Sequence, residues 1–361
     1  MLVEGAILDA DGPRPAYVRF AGGRVVEVGQ LGADSTRGRE RRVRGIVLPS
    51  PVNSHTHLGD SVSVREPPAG TVARLVRPPS GYKFRLLKDS TPAEKVAAIR
   101  TALYRMAREG IRAVVDFREE GLPGVELLHA AGKRLPIRTT ILGRPLARPI
   151  DRKELTRLLD RADGVGLSSA RDESAETRRT VARACRARDK RFALHASEAV
   201  REDPSDYLDP TPDLLVHLTR ATRDDLRAVR DAHVPVVVCP RSNAWFGRSP
   251  DLAAMEAEGL RLLIGTDNAM LQAPSIWREL EFAFVSSRLR RRPVSAAALA
   301  RAALVEPWNW LRLPDAARVA PEMPVPPTVL RLPSDDPAYQ VVTRATEHLI
   351  VRFGPRGAQR S

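Results

Sequence analysis

Short apolar runs alternating with helical spacings set the pattern of most of this chain. Runs fall at residues 111–117, 137–142, 165–167, 192–194, 214–216, 234–238 and 260–264, and an earlier one enters Pro49-Ser50-Pro51 and ends on His55. The stretches between them carry helix signals. Thr91 caps a segment whose Val96, Ile99, Leu103 and Met106 recur at helical spacing up to Gly110, with Pro92 in the first turn. Asp151 and Glu154 form a capping pair ahead of Leu155, Leu158 and Leu159, and Thr222 and Asp225 do the same for residues 222–232. Further helices are expected at 174–185, from 252 to Gly259, at 275–290 and at 295–304. Brief, near-continuous apolar strands separated by helices indicate a parallel sheet buried on both faces. Eight such units favour closure into a (β/α)8 TIM barrel.

The two ends read differently. Residues 1–8, 16–20 and 24–28 have strand character and are parted by the turn signals Asp11-Gly12 and Gly22-Gly23. The tail returns to strand patterns at 328–332, 339–343 and 348–353. The expectation is a small β-sandwich domain built from 1–44 plus 315–361 beside a barrel over 45–314. One connection, from 58 to 90, is long and carries Pro67-Pro68, Pro78-Pro79 and Gly81. Connections of that length are usually lids or disordered segments.

Composition alters this picture in one respect. The chain has 361 residues, 43% of them hydrophobic, which supplies a large core, but its formal charge is +14 and all but six of the 58 basic residues are arginines. They are spread along the chain with no basic arm, and aromatic residues make up 5%. A nucleic-acid partner is therefore disfavoured, because backbone contacts need clustered cations and single strands need stacking platforms; solvent-facing arginines account for the charge. A non-catalytic, nucleic-acid-binding barrel is the alternative of a different class. Cys185 and Cys239 are the two cysteines, too few for a disulfide framework, so a reducing cytoplasm is the expected setting. Neither a signal-peptide pattern nor an apolar stretch of membrane-spanning length is seen. Homo-oligomerisation is compatible with the sequence and is not specified by it.

Candidate chemistry sits where the apolar runs stop. His55 and His57 flank Thr56, and alternation along a strand turns both imidazoles to one face. Two later runs end on His195 and His217, and another leads through Gly265-Thr266 to Asp267. Barrel enzymes place their chemistry at the C-terminal ends of the strands, so these side chains are expected on one rim. Imidazoles and a carboxylate can hold one divalent metal ion and leave a position for water, whose pKa the ion lowers. Glu198, three residues past His195, is placed to carry protons.

With these residues in view, the chain resembles the amidohydrolase superfamily, in particular its cytosine-deaminase-like and S-adenosylhomocysteine-deaminase-like branch. The matching segments are Val52-Asn-Ser-His55-Thr-His57, Leu194-His195-Ala-Ser-Glu198, Leu215-Val-His217-Leu-Thr219, Cys239-Pro-Arg-Ser-Asn243 and Ile264-Gly-Thr-Asp267-Asn-Ala269, in the family's order. The resemblance implies that His55, His57, His195 and Asp267 bind one ion, Zn2+ or else Fe2+. It also implies that Asp267 takes a proton from water, that Glu198 passes it to the leaving nitrogen, and that His217 orients the water or polarises the substrate. Asn243 becomes a candidate for the substrate pocket. The lysine that bridges two metals in binuclear relatives is missing from 164–171, which implies a single ion. Ser168-Ser169-Ala170 stands where purine-processing relatives carry a Gly-Pro-His type sequence, a departure that bears on nucleoside specificity. Arg65, Arg171 and Arg241 fall near predicted rim loops. The activity so implied is hydrolysis of a non-peptide C–N bond in a small molecule, chiefly deamination of a cyclic or heteroaromatic amine. A cyclic amidase or a dechlorinating hydrolase using the same ion is the alternative.

Overall fold

The computed structural model describes residues 1–32, 40–63, 65–147, 149–346 and 349–351. A hairpin opens the chain: β1 (Leu2–Asp9) and β2 (Gly12–Ala21) pair antiparallel about the Asp11-Gly12 turn, where Gly12 takes a positive φ of 89°. β3 (Arg24–Gly29) adds to β2, and β4 (Arg42–Leu48) runs parallel to β1.

Nine further strands make a parallel, curled sheet. In chain order they are β5 (Val52–His57), β6 (Ala113–Arg118), β7 (Arg138–Gly143), β8 (Gly164–Leu167), β9 (Arg191–Ala196), β10 (Leu214–His217), β11 (Val236–Val238), β12 (Leu262–Ile264) and β13 (Asp267–Asn268). Each of the first eight is hydrogen-bonded to the next but for the outermost: β12 pairs with β11, whereas β13 pairs with β5. Only Gly265 and Thr266 separate β12 from β13. One chain segment thus meets the last strand on one side and the first on the other, which is consistent with the expected TIM barrel. Gly265 makes this approach feasible, because a Cβ there would lie 2.6 Å from His55 Cβ and 2.8 Å from its backbone nitrogen. The sheet strands are buried almost throughout, as the unbroken apolar runs require. The helix over Pro92–Arg108 shows the expected capping box, Thr91 Oγ1 accepting from Glu94 N while Glu94 accepts from Thr91 N at 2.7 Å. Its Ile99, Leu103 and Met106 face the core.

Two expectations change. The tail gives one strand, β14 (Thr328–Leu330), which joins β4 to complete a five-stranded sheet; Leu330 also makes a single bridge to Ile350. Residues 339–343 are not a strand but part of the helix Pro337–Arg344. Asp336 caps it by accepting from Tyr339 N at 3.3 Å, Pro337 occupies its first turn, and Ala338, Val341 and Val342 bury one stripe. The cap and the i, i+3, i+4 spacing carry the segment. Among the described residues the terminal segments form this one sheet, with its own apolar cluster around Val3, Ile7, Val18, Phe20 and Val47, and no second sheet faces it. The strand expected at 348–353 lies mostly outside the described residues. The 58–90 connection is not structureless either. It holds a 3-10 turn at Leu58–Val62 and helices at Val72–Leu75 and Tyr82–Asp89.

Candidate metal centre and active site

The tips of β5, β9 and β13 converge. His55 Nε2 lies 3.3 Å from Asp267 Oδ1 and 3.3 Å from His195 Nε2, and His57 Nε2 is 3.4 Å from the same aspartate oxygen. All four side chains are buried. Backbone carbonyls fix two of the rings: His57 Nδ1 donates to Phe117 O at 3.0 Å, and His195 Nδ1 donates to Leu167 O at 2.8 Å. With those protons committed, each Nε2 turns a lone pair inward, towards a carboxylate oxygen or another imidazole. Imidazole nitrogens and one carboxylate gathered at these distances form a donor set that suits a transition-type divalent ion. Two groups, His55 with His57 and Asp267, and His55 with His195 and His217, could each hold an ion.

Electrostatics agree with this arrangement. Burial pushes His55 down to about 3, and burial together with the neighbouring imidazoles holds His195 well below the usual histidine range. These rings are therefore neutral, as ligands must be. Burial works to raise the Asp267 carboxyl, but the hydrogen bond from His55 and the surrounding rings outweigh it and hold the group well below the ordinary carboxylate range. Ser242 Oγ donates to Asp267 Oδ2 at 2.5 Å, which fixes the carboxylate from behind.

His217 and Glu198 stand beside this set. Asn243 Nδ2 donates to His217 Nδ1 at 3.2 Å, so the ring proton resides on Nε2, 3.8 Å from Glu198 Oε2. Burial raises the Glu198 carboxyl, which suits a group that holds a proton part of the time. Both residues line a cavity with His57, Lys83, Arg144 and Asp267. The backbone is turned sharply here: Ser197, His217 and Asp267 have φ of 47°, 81° and 60°. Non-glycine residues in the left-handed region cost of order 1–3 kcal/mol each and cluster where side chains must be aimed.

Several placements differ from expectation. Asn243 is buried on the short helix Pro240–Trp245 and meets His217; it supports that ring from behind and does not line the cavity. Ser168 and Ser169 do line it, but their hydroxyls donate to Asp172 at 2.8 Å and Glu202 at 2.6 Å. Glu202, unnoticed in the sequence, also accepts from Ser197 N at 2.6 Å and so braces the turn that leads to Glu198. Arg171 reaches the cavity wall. Arg241 does not serve there, because its backbone N–H donates to the buried Glu279 at 3.0 Å and its guanidinium lies 3.5 Å from that carboxyl. Burial pushes Glu279 up to about 8. The unfolded chain ionises this group from about pH 4.5, so between pH 4.5 and 8 the folded state binds the extra proton and stability falls as pH rises. Glu279→Gln is expected to remove this loss, roughly 4 kcal/mol across that interval. Denaturant unfolding of both proteins at pH 5 and pH 8 checks it; equal pH dependence would contradict the assignment.

Residues 46–306 match the model of the amidohydrolase family. The chain belongs to that family. It is 35% identical over 263 residues, 67% of this chain and 68% of the other, to a protein of Methanothermobacter thermautotrophicus provisionally named an aminohydrolase. Among solved structures it resembles an adenosine deaminase from Xanthomonas campestris with bound zinc, at a TM-score of 0.77, 17% identity, and coverage of 97% of this chain and 90% of that one. An atrazine chlorohydrolase from Arthrobacter aurescens complexed with zinc gives a TM-score of 0.74 at 18% identity, covering 97% and 94%. These likenesses show a shared fold over 97% of this chain. No helix among the described residues is long and apolar enough to cross a membrane.

Proposed function

We propose that this amidohydrolase is an aminohydrolase that releases ammonia from a cyclic or heteroaromatic amine, using a single zinc ion. His55, His57, His195 and Asp267 would hold the ion, which when bound supplies Lewis acidity that makes water a nucleophile near neutral pH. The remaining work falls to the side chains. Asp267, kept ionised, accepts the proton of the attacking water. Glu198 takes up that proton and gives it to the departing nitrogen, since its raised carboxyl can hold it between the two steps. His217 donates from Nε2 to the oxygen entering beside it, a tautomer maintained by Asn243.

The observation that supports this reading best is the pairing of the Glu198 carboxyl with the His217 ring, 3.8 Å apart, at the cavity wall next to the ligand set. The test is a panel of aminated heterocycles, chlorinated triazines and cyclic amides, with ammonia and chloride measured separately. Ammonia from an aminated ring is the expected result. Chloride release or ring opening of an amide, without ammonia from any amine, would overturn the deaminase reading in favour of the other leaving groups.

A further inference from the structure

Five charged side chains are buried together beside His57: Asp60, Lys83, Asp116, Arg118 and Glu119. Burying that much charge is costly unless partners are close, and the partners here are shared with the site. Glu119 Oε1 lies 2.7 Å from His57 Nδ1 and 2.5 Å from Lys83 Nζ, while its other oxygen is 3.1 Å from Arg118 Nη2. Lys83 also donates to Asn268 Oδ1 at 3.1 Å, next to Asp267, and stands 3.9 Å from Asp60 Oδ2. It belongs to the helix Tyr82–Asp89 of the 58–90 connection. Phe117 O already takes the hydrogen bond from His57 Nδ1, so Glu119 is not needed to choose the tautomer. What it adds is negative charge at the Nδ1 edge of the ring, across from Nε2.

We infer that Glu119, held against His57 by Lys83, is a positioning residue that tightens ion binding through the imidazole, and that the 58–90 connection thereby contributes to the site. This rests on His57 serving as a ligand, as proposed above. An anion beside Nδ1 raises the electron density at Nε2, and such partners are commonly worth 10- to 100-fold in metal affinity. Lys83 keeps the carboxylate at the ring; without it, Arg118 is the remaining buried cation to which Glu119 is paired. A purely structural role for the cluster would require the same charges but would leave affinity at His57 unaffected.

The experiment uses the full chain, stripped of metal by chelation, with Co2+ and Zn2+ titrated against a chromophoric chelator and the Co2+ absorption spectrum recorded. Glu119→Gln fills the same space and removes the charge. It is expected to weaken binding of both ions 10- to 100-fold and to shift the Co2+ bands. Because an unpaired Lys83 destabilises that variant, Glu119→Gln/Lys83→Met removes both charges together and is expected to show the same weakened affinity, with a cooperative melt of the metal-free form confirming that it folds. Wild-type affinity in either folded variant would overturn the inference while leaving the proposed function intact. A wild-type protein that binds neither ion would overturn both.

Discussion

Glu198→Gln protein is expected to bind its divalent ion with the wild-type stoichiometry and to lose turnover by a factor of about 10² to 10⁴, the usual contribution of a positioned general acid–base group. The amide is nearly isosteric with the carboxyl, so the cavity keeps its shape, and Glu198 lies on the His217 side of the site, outside the contacts that join His55, His57, His195 and Asp267. Burial raises the Glu198 carboxyl; an amide in the same place cannot ionise and cannot pass a proton onward. Turnover measured alongside elemental analysis separates chemistry from ion retention. Wild-type turnover in the variant would remove Glu198 from the mechanism, and loss of the ion together with activity would make it a ligand instead of a shuttle.

The part of this molecule that could be read from sequence is the part governed by local periodicity. The apolar strands register as unbroken runs because both faces are covered, and His55, His195, His217 and Asp267 stand out because each follows such a run directly or within three positions. Residues that act through distant partners left weaker marks. Ser242 sits inside the quoted Cys-Pro-Arg-Ser-Asn segment, yet only the fold shows that its hydroxyl meets Asp267. Glu119 follows the end of β6 in plain view, but its value depends on Lys83, 36 positions earlier, in a connection whose prolines suggest a lid. Residues 339–343 misled through composition: Val341 and Val342 favour strands, while the cap at Asp336 and the burial stripe belong to a helix. Strand-like segments at both ends predict a sandwich, but with 339–343 helical the terminal segments form a single five-stranded sheet among the described residues.

Stripping the divalent ion is expected to cost the protein several degrees of thermal stability, and the site geometry sets the sign. With the Nδ1 protons of His57 and His195 given to carbonyls, the inward nitrogens face Asp267 Oδ1 at 3.4 Å and His55 Nε2 at 3.3 Å. The unfolded chain scatters His55, His195 and Asp267 over more than two hundred positions and binds the ion far more weakly. Binding free energy is therefore largely folding free energy, about 4 kcal/mol when free ion exceeds its dissociation constant a thousandfold. Because burial already holds His55 down at about 3, protons do not compete for that ring at pH 6, and the gain from the ion should survive mild acid at His55. Calorimetry of chelated and reconstituted protein at pH 7.5 and pH 6 measures it. Zn2+ should restore the lost stability and Mg2+, a hard ion that prefers oxygen ligands, should not. Identical melting with and without Zn2+ would mean that the converging side chains hold no ion.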